Sequence, residues 1–164
     1  MIIHTNYIVI SPFLCFQFAH ADNNEIKIGT IAINFSLPDL NGKTHSLKQY
    51  KGSVILLNFW ATWCPPCRAE IPILSKIYKN YKKSGFKIIA VSLDNDINKV
   101  KAFLNENPVE FTVLFDKKGE AGYKYSIYAI PTSFLIDKEL IIREIYIGMI
   151  DEKKFVSDLK KWLK

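Results

Sequence analysis

Residues 53–72 read SVILLNFWATWCPPCRAEIP, in which an apolar run leads through two cysteines into a helix pattern. Residues 53–60 are almost continuously apolar, as is typical of a central strand covered on both faces. From residue 65 to about residue 83 the apolar positions recur at helical spacing, and proline suits the first position of a helix. Cys64 and Cys67 are therefore predicted to lie where a central strand passes into a helix.

The rest of the chain alternates between strand and helix patterns. Strands that alternate with helices and then close with a hairpin and a helix predict an α/β domain with a mixed central sheet. The expected elements around the strand 53–60 and the helix 65–83 are a hairpin of two short strands about Asn41-Gly42, strands 86–93 and 112–115, helices 97–105 and 120–125, a strand pair 133–136 and 140–147, and a helix 151–163.

The composition is that of an ordinary globular chain. Its 164 residues suggest one domain, and 49% hydrophobic against 23% charged residues leave enough apolar side chains for a core. A disordered tail is therefore excluded, and seven glycines and seven prolines exclude collagen-like and low-complexity chains. Three cysteines are too few for a disulfide-stapled scaffold.

The net charge of +6 is spread over many elements of the chain. Because the lysines do not cluster with aromatic residues, we expect a solvated surface and no nucleic-acid partner. Attraction to an anionic membrane face or an acidic partner is the alternative interpretation. No sequence feature indicates an oligomer, so a monomer is expected.

Residues 1–21 contain no Lys, Arg, Asp or Glu, and residues 7–18 read YIVISPFLCFQF before Ala19-His20-Ala21. A short apolar region that ends in A-x-A is typical of a secretory signal peptide, and a membrane-spanning helix needs about 20 apolar residues. The missing Lys and Arg before the apolar region leave an uncleaved anchor or a buried segment of the fold as alternatives. We predict that residues 1–21 are a signal peptide or an N-terminal anchor and that residues 22–164 form the domain. The predicted location is the periplasm, where residues 1–21 would tether the protein to the inner membrane if they are an anchor.

The two cysteines at the start of a helix favour thiol chemistry. Unpaired N–H groups and the partial positive charge at a helix N-terminus stabilise a thiolate and lower its pKa. Cys64, at the mouth of the helix, is the candidate nucleophile, and Cys67 is the candidate resolving thiol. Disulfide exchange would then pass through a mixed disulfide on Cys64, which Cys67 displaces.

Three other interpretations of the cysteine pair are weaker. A structural zinc site needs four ligands, whereas the chain after residue 21 offers at most Cys64, Cys67 and His45. A structural disulfide across so short a loop adds little stability. Two unrelated buried cysteines would not explain their position between strand and helix. No metal ion or cofactor is predicted.

Three stretches resemble the TlpA/ResA/DsbE-like branch of the thioredoxin superfamily, and the resemblance covers roughly residues 30–164. They are residues 58–72 (NFWATWCPPCRAEIP), the pattern Ala32-x-x-Phe35-x-Leu37-x-Asp39-x-x-Gly42, and residues 130–137 (IPTSFLID). The resemblance implies a thioredoxin fold with an N-terminal β-hairpin and an inserted helix–strand at about 96–115. It also implies an exported thiol–disulfide oxidoreductase that reduces protein disulfides, often those of apocytochrome c, and that a membrane thiol donor re-reduces.

The same resemblance assigns roles to residues outside the cysteine pair. Ile130-Pro131-Thr132 matches the substrate-binding loop that faces the cysteines, with Pro131 in the cis form and the Ile130 backbone free to pair with an extended substrate. Glu70 matches a partly buried carboxylate that shuttles a proton or holds up the cysteine pKa, although a solvated helix glutamate is the alternative.

The residues around the cysteines have smaller predicted roles. Trp63 is expected to shape the substrate-docking surface, and Pro65-Pro66 to stiffen its loop, whereas Trp60 is expected in the core. Asn58 departs from thioredoxin proper, where a buried Asp stands, and is interpreted as satisfying backbone groups. His45 is expected on the surface of a strand.

Three further functions remain open beside the reductase. An oxidase or isomerase would use the same dithiol in the opposite direction. A thiol peroxidase of the Thr-x-x-Cys type would need threonine where this chain has Ala61. A non-catalytic module that binds haem or an apoprotein would not need intact cysteines.

Overall fold

The computed structural model describes residues 26–164, so the predictions for residues 1–21 lie outside the described residues. No helix within residues 26–164 is long and apolar enough to cross a membrane. Two short 3-10 turns, Leu47–Tyr50 and Lys82–Ser84, were not predicted. The strands and helices are β1 (Ser36–Pro38), β2 (Thr44–Ser46), β3 (Val54–Trp60), α1 (Pro65–Tyr81), β4 (Phe86–Ser92), α2 (Ile97–Glu106), β5 (Thr112–Phe115), α3 (Glu120–Lys124), β6 (Thr132–Ile136), β7 (Ile142–Ile147) and α4 (Glu152–Trp162).

Five strands form one mixed sheet in the order β5-β4-β3-β6-β7. The pairs β3–β4 and β4–β5 are parallel, whereas β3–β6 and β6–β7 are antiparallel. The predicted α/β thioredoxin fold is therefore confirmed, with α2 and β5 as the inserted helix and strand.

The N-terminal hairpin of β1 and β2 is also confirmed as a separate two-stranded sheet. Its turn is closed by Asp39 and Lys43, whose backbones are hydrogen-bonded at 2.8 Å. Gly42 has φ +88°, a left-handed conformation that glycine adopts without the steric cost of a side chain. The Asn41-Gly42 pair thus sets the turn, as the sequence predicts.

Each face of the sheet has its own apolar core. One face packs against α1, α2 and α4 through residues such as Leu74, Val100 and Phe155. The other face packs against α3 and the hairpin through Tyr125 and Leu47. Since β3 contributes fully buried side chains to both cores, its continuous apolar sequence is explained.

The ends of three strands meet at one edge of this sandwich. The last residues of β3 lead into α1, and Phe59 of β3 lies opposite Thr132, the first residue of β6. Thr132 in turn pairs with Ile147, the last residue of β7. The cysteine pair and the predicted Ile130-Pro131-Thr132 loop are thereby brought to the same end of the sheet.

Candidate active site

Cys64 and Cys67 form a disulfide at the start of α1, with their Cα atoms 5.3 Å apart. Cys64 is the N-cap residue, and its Sγ accepts a hydrogen bond from the Cys67 N–H at 3.3 Å. Both sulfurs lie in buried residues, Cys64 at 4% and Cys67 at 1% exposure. This contact with a helix amide favours the thiolate of Cys64 in the reduced protein.

The loop before β6 faces this disulfide. The Ile130–Pro131 peptide bond is cis, as predicted, and the carbonyl oxygen of Ile130 lies 3.6 Å from Cys64 Sγ. The Thr132 hydroxyl donates to the carbonyl of Ala129 at 2.8 Å, so this side chain holds the loop together. The roles of Ile130, Pro131 and Thr132 in substrate binding stay predictions.

Glu70 lies one turn beyond Cys67 and is only 1% exposed, more deeply buried than expected. Its carboxylate accepts hydrogen bonds from the Ile150 N–H at 2.7 Å and from Asn58 Nδ2 at 3.0 Å. No cation is paired with it among residues 26–164, and burial raises its pKa above the usual value, outweighing the two hydrogen bonds. Glu70 and Cys67 lie three residues apart on α1 and are therefore neighbours on the helix, and the role of Glu70 in proton transfer stays a prediction.

Asn58 holds Glu70 in place and does not satisfy backbone groups, so that interpretation was wrong. Its Nδ2 donates both to Glu70 and to the Ser133 hydroxyl, the latter at 2.9 Å. Its Oδ1 has no hydrogen-bond partner in the part of the chain that the structure describes. Ser133 lies directly opposite Asn58 across the β3–β6 pair, a register that the sequence does not reveal.

The rim of the site is exposed. Trp63 is 66% exposed, and Pro65 and Pro66 are the exposed first residues of α1, so all three are accessible to a partner. Their roles in binding remain predictions. Trp60 is fully buried, which confirms its place in the core.

The loop between β3 and α1 is fixed by Asp94, which the sequence analysis did not single out. This buried carboxylate accepts from the Thr62 N–H at 3.0 Å and from its hydroxyl at 2.6 Å. It also accepts from the Ser92 hydroxyl at 2.8 Å. An Asp two residues after the buried strand β4 was the available signal.

His45 is not a free surface residue, which corrects that expectation. Its side chain is 12% exposed, and its ring nitrogens contact the Tyr50 hydroxyl at 2.8 Å and the Asp39 carboxylate at 3.1 Å.

The described residues offer no evident metal site. Cys64 and Cys67 are bonded to each other, and residues 26–164 contain no group of three or more His, Cys, Asp or Glu that could hold a metal ion.

Fold and dithiol together define a thioredoxin-like thiol–disulfide oxidoreductase. Residues 28–145 match the AhpC/TSA family, and the chain belongs to that family. The chain is 40% identical over 149 residues to the thiol-disulfide oxidoreductase ResA of Bacillus thuringiensis (strain Al Hakam), covering 91% of this chain and 86% of the relative. It is 36% identical over 137 residues to the thioredoxin-like protein YneN of Bacillus subtilis (strain 168), covering 82% of this chain and 79% of the relative.

Solved structures show the same relationship. A Chlorobium tepidum protein proposed to be the thiol:disulfide interchange protein DsbE superposes with a TM-score of 0.82 at 35% identity, covering 85% of this chain and all of that one. StoA from Bacillus subtilis superposes with a TM-score of 0.67 at 30% identity, covering 80% of this chain and 97% of that one. The predicted membership of the ResA/DsbE-like group is thereby confirmed.

Proposed function

We propose that the protein is exported and reduces disulfides of protein substrates. The observation that carries this proposal is the position of Cys64 Sγ. This sulfur accepts a hydrogen bond from the Cys67 N–H and lies next to the Ile130 carbonyl oxygen. The first contact favours the attacking thiolate, and the second marks the backbone along which an extended substrate would pair. Trp63, Pro65 and Pro66 form the exposed rim that such a substrate would meet first.

In the proposed reaction the Cys64 thiolate attacks one sulfur of the substrate disulfide. A mixed disulfide forms, and the second substrate sulfur leaves as a thiolate that takes up a proton. Cys67 then loses its proton, attacks Cys64 Sγ and releases the first substrate thiol. Two electrons have passed to the substrate, and the Cys64–Cys67 disulfide remains.

Glu70 is the proposed proton acceptor for Cys67. Burial raises its pKa above the usual value and no cation among the described residues holds it ionised, so it is a better proton acceptor for a thiol than an exposed glutamate. A membrane dithiol donor would restore the reduced pair by the reverse exchange. The substrate that we propose is an apocytochrome c whose haem-binding cysteines must be reduced, an assignment that rests on the resemblance of residues 58–72 and 130–137 to the TlpA/ResA/DsbE-like branch.

The reduction potential of the Cys64–Cys67 pair tests the direction of electron flow. Equilibration with a glutathione or dithiothreitol buffer should give a value at or below about −230 mV, in the thioredoxin–glutaredoxin range. A value near −120 mV, as in strong oxidants, would instead support the disulfide-donating oxidase and reject the cytochrome assignment.

Trapping tests the substrate. Cys67→Ser should accumulate a mixed disulfide between Cys64 and its substrate, which mass spectrometry identifies, whereas Cys64→Ser should trap nothing. A Cys64→Ser variant that keeps full biological function would support the non-catalytic binding module. The thiol-peroxidase alternative gains no support, because the buried Ala61 carries no hydroxyl.

Cell fractionation and the mass of the purified protein test export. A mature chain that begins at Asp22 is expected if residues 1–21 are cleaved. A membrane-bound protein of full-length mass would show that this segment serves as an anchor.

A further inference from the structure

An apolar pocket of about 230 Å³ opens on the sheet face opposite α1, beside the loop that carries Pro131. Tyr128 and Ile147 form its rim, and Phe134 and Ile145 lie among the residues that line it. Its lining contains no Asp, Glu, Lys, Arg or His. The pocket therefore suits an uncharged, apolar group.

The rim residues are unusually accessible for their size. Tyr128, in the segment before β6, is 94% exposed, and Ile147, the last residue of β7, is 77% exposed. A single exposed apolar side chain is ordinary, but two that border one apolar depression are typical of a binding surface.

The pocket borders the loop that faces the disulfide. Thr132, which follows Pro131, lines the pocket and pairs across the sheet with Ile147. Tyr128 lies two residues before Ile130, hence within about 7 Å of it along the chain. Since Ile130 O is 3.6 Å from Cys64 Sγ, a substrate that is bonded to Cys64 and pairs with the Ile130 backbone would extend towards this rim. An extended substrate advances about 3.3 Å per residue. A substrate side chain two to four positions from the substrate cysteine would therefore reach the pocket.

We propose that this pocket is a specificity subsite for one aliphatic or aromatic side chain of an extended protein substrate, two to four residues from the reacting cysteine. This inference rests on the proposed function. The residues of this chain that directly precede Ile26 are Asp22-Asn23-Asn24-Glu25, which offer the pocket no apolar side chain. The substrate is the occupant because its own disulfide must be brought to Cys64.

The test compares peptide disulfides that differ at one position. Each peptide carries a glutathionylated cysteine and either leucine or serine at the second, third or fourth residue from it. The reduced wild-type protein should reduce one leucine peptide with kcat/KM about 10-fold above its serine counterpart, a typical value for one apolar side chain in a pocket. Tyr128→Ser with Ile147→Ser should abolish this preference and leave the reduction of glutathione disulfide within about twofold of wild type.

Tyr123→Ser is the matched control, because Tyr123 is also exposed, at 88%, but does not line this pocket. It should keep the wild-type preference. Equal rates for leucine and serine at all three positions would overturn the proposal, as would a preference that survives the double substitution.

Binding without chemistry separates this proposal from the proposed function. The same peptides with serine in place of cysteine should bind by calorimetry with the same leucine preference. A protein that reduces none of the glutathionylated peptides but shows this binding preference would refute the reductase and keep the subsite. Sedimentation velocity gives the remaining outcome: a dimer that Tyr128→Ser converts to a monomer would assign the pocket to a second copy and overturn the proposal.

Discussion

Glu70 and Asp158 are both buried carboxylates on the α1 side of the sheet, at 1% and 5% exposure, but their partners differ. Asp158 accepts hydrogen bonds from Lys154 at 2.6 Å, from Lys161 at 2.7 Å and from the Tyr146 hydroxyl at 3.0 Å. Burial acts to raise the pKa of Asp158, but these hydrogen bonds outweigh it and lower the pKa to about 2. Glu70 receives only two neutral donors, and its pKa is raised.

The difference shows that burial alone does not decide the charge of an acid in this molecule. Two lysines of α4 hold Asp158 ionised, and the hydrogen bond that Asp158 accepts from Tyr146 links α4 to β7. Glu70 has no cation beside it among the described residues, so its ionised form is destabilised and its pKa is raised. The acid without a cation is the one three residues from Cys67, the position that the proposed proton transfer requires.

A second carboxylate beside Glu70 should cause the largest change in the free energy of unfolding. Asn58→Asp replaces a donor 3.0 Å from Glu70 by a like charge in a buried site. We expect the free energy of unfolding in urea to fall by about 3 kcal/mol at pH 8, and by less at pH 5, where one of the two acids is protonated. The control is the same change in a Glu70→Gln background, where the loss should be smaller. An equal loss at both pH values would contradict the prediction.

Removing the charge of Asp158 should have the next largest effect. Asp158→Asn is expected to cost about 1–2 kcal/mol at pH 7, since water screens both exposed lysines. Because its folded pKa of about 2 lies below the ordinary 3.8, this stabilisation is complete above about pH 4 and is lost as the pH falls towards 2. Urea unfolding at pH 7 and pH 2.5 measures it. The half-buried acid Glu152, whose ion-pair partner Lys76 is exposed, offers the control, and Glu152→Gln should change stability by less than about 0.5 kcal/mol.

Glu70→Gln should show the opposite pH dependence. The folded pKa of Glu70 is raised, so the wild-type protein loses stability as the pH rises from the unfolded pKa through the folded one. Glutamine does not ionise, so the variant should become more stable than wild type by about 1 kcal/mol at pH 8.5, and the difference should shrink at pH 5. Urea unfolding at both pH values checks this, and a difference that does not change with pH would refute it.

The smallest effect is expected for the Tyr146 hydroxyl. Tyr146→Phe removes one of three donors to Asp158, and the two lysines remain, so the loss should be about 0.5–1 kcal/mol in the same assay. Tyr123→Phe, at an 88% exposed position, should show no measurable loss. A loss above that of Asp158→Asn would mean that the lysines do not hold this acid ionised.

The fold could be predicted from sequence because its buried strands are strongly marked. The apolar runs 53–60 and 86–93 are typical of central strands, which are buried on both faces of a sheet. The motif around Cys64 predicts where α1 begins. The cis form of Pro131 was predicted from resemblance, since base rates alone favour trans.

The polar contacts could not be predicted, because they join residues that are distant in sequence. Ser133 contacts Asn58 only because β3 and β6 pair in one register. Ile150 contacts Glu70 only because the segment after β7 folds back. For Asp158, the spacing of Lys154 and Lys161 on one helix was visible in the sequence. Its burial was not, because that depends on packing against other elements.

The two prolines at the start of α1 have a consequence for selectivity. Of the first backbone amides of this helix, Pro65 and Pro66 have no N–H, and the Cys64 N–H is used by the Ala61 carbonyl. The Arg68 N–H is used by the Cys64 carbonyl, and the Cys67 N–H points at Cys64 Sγ. None of the backbone amides of residues 64–68 is left for a phosphate or carboxylate from solution. The partial positive charge at the start of α1 therefore acts on the cysteine sulfurs. Dissolved anions should compete poorly with the Cys64 thiolate for these amides.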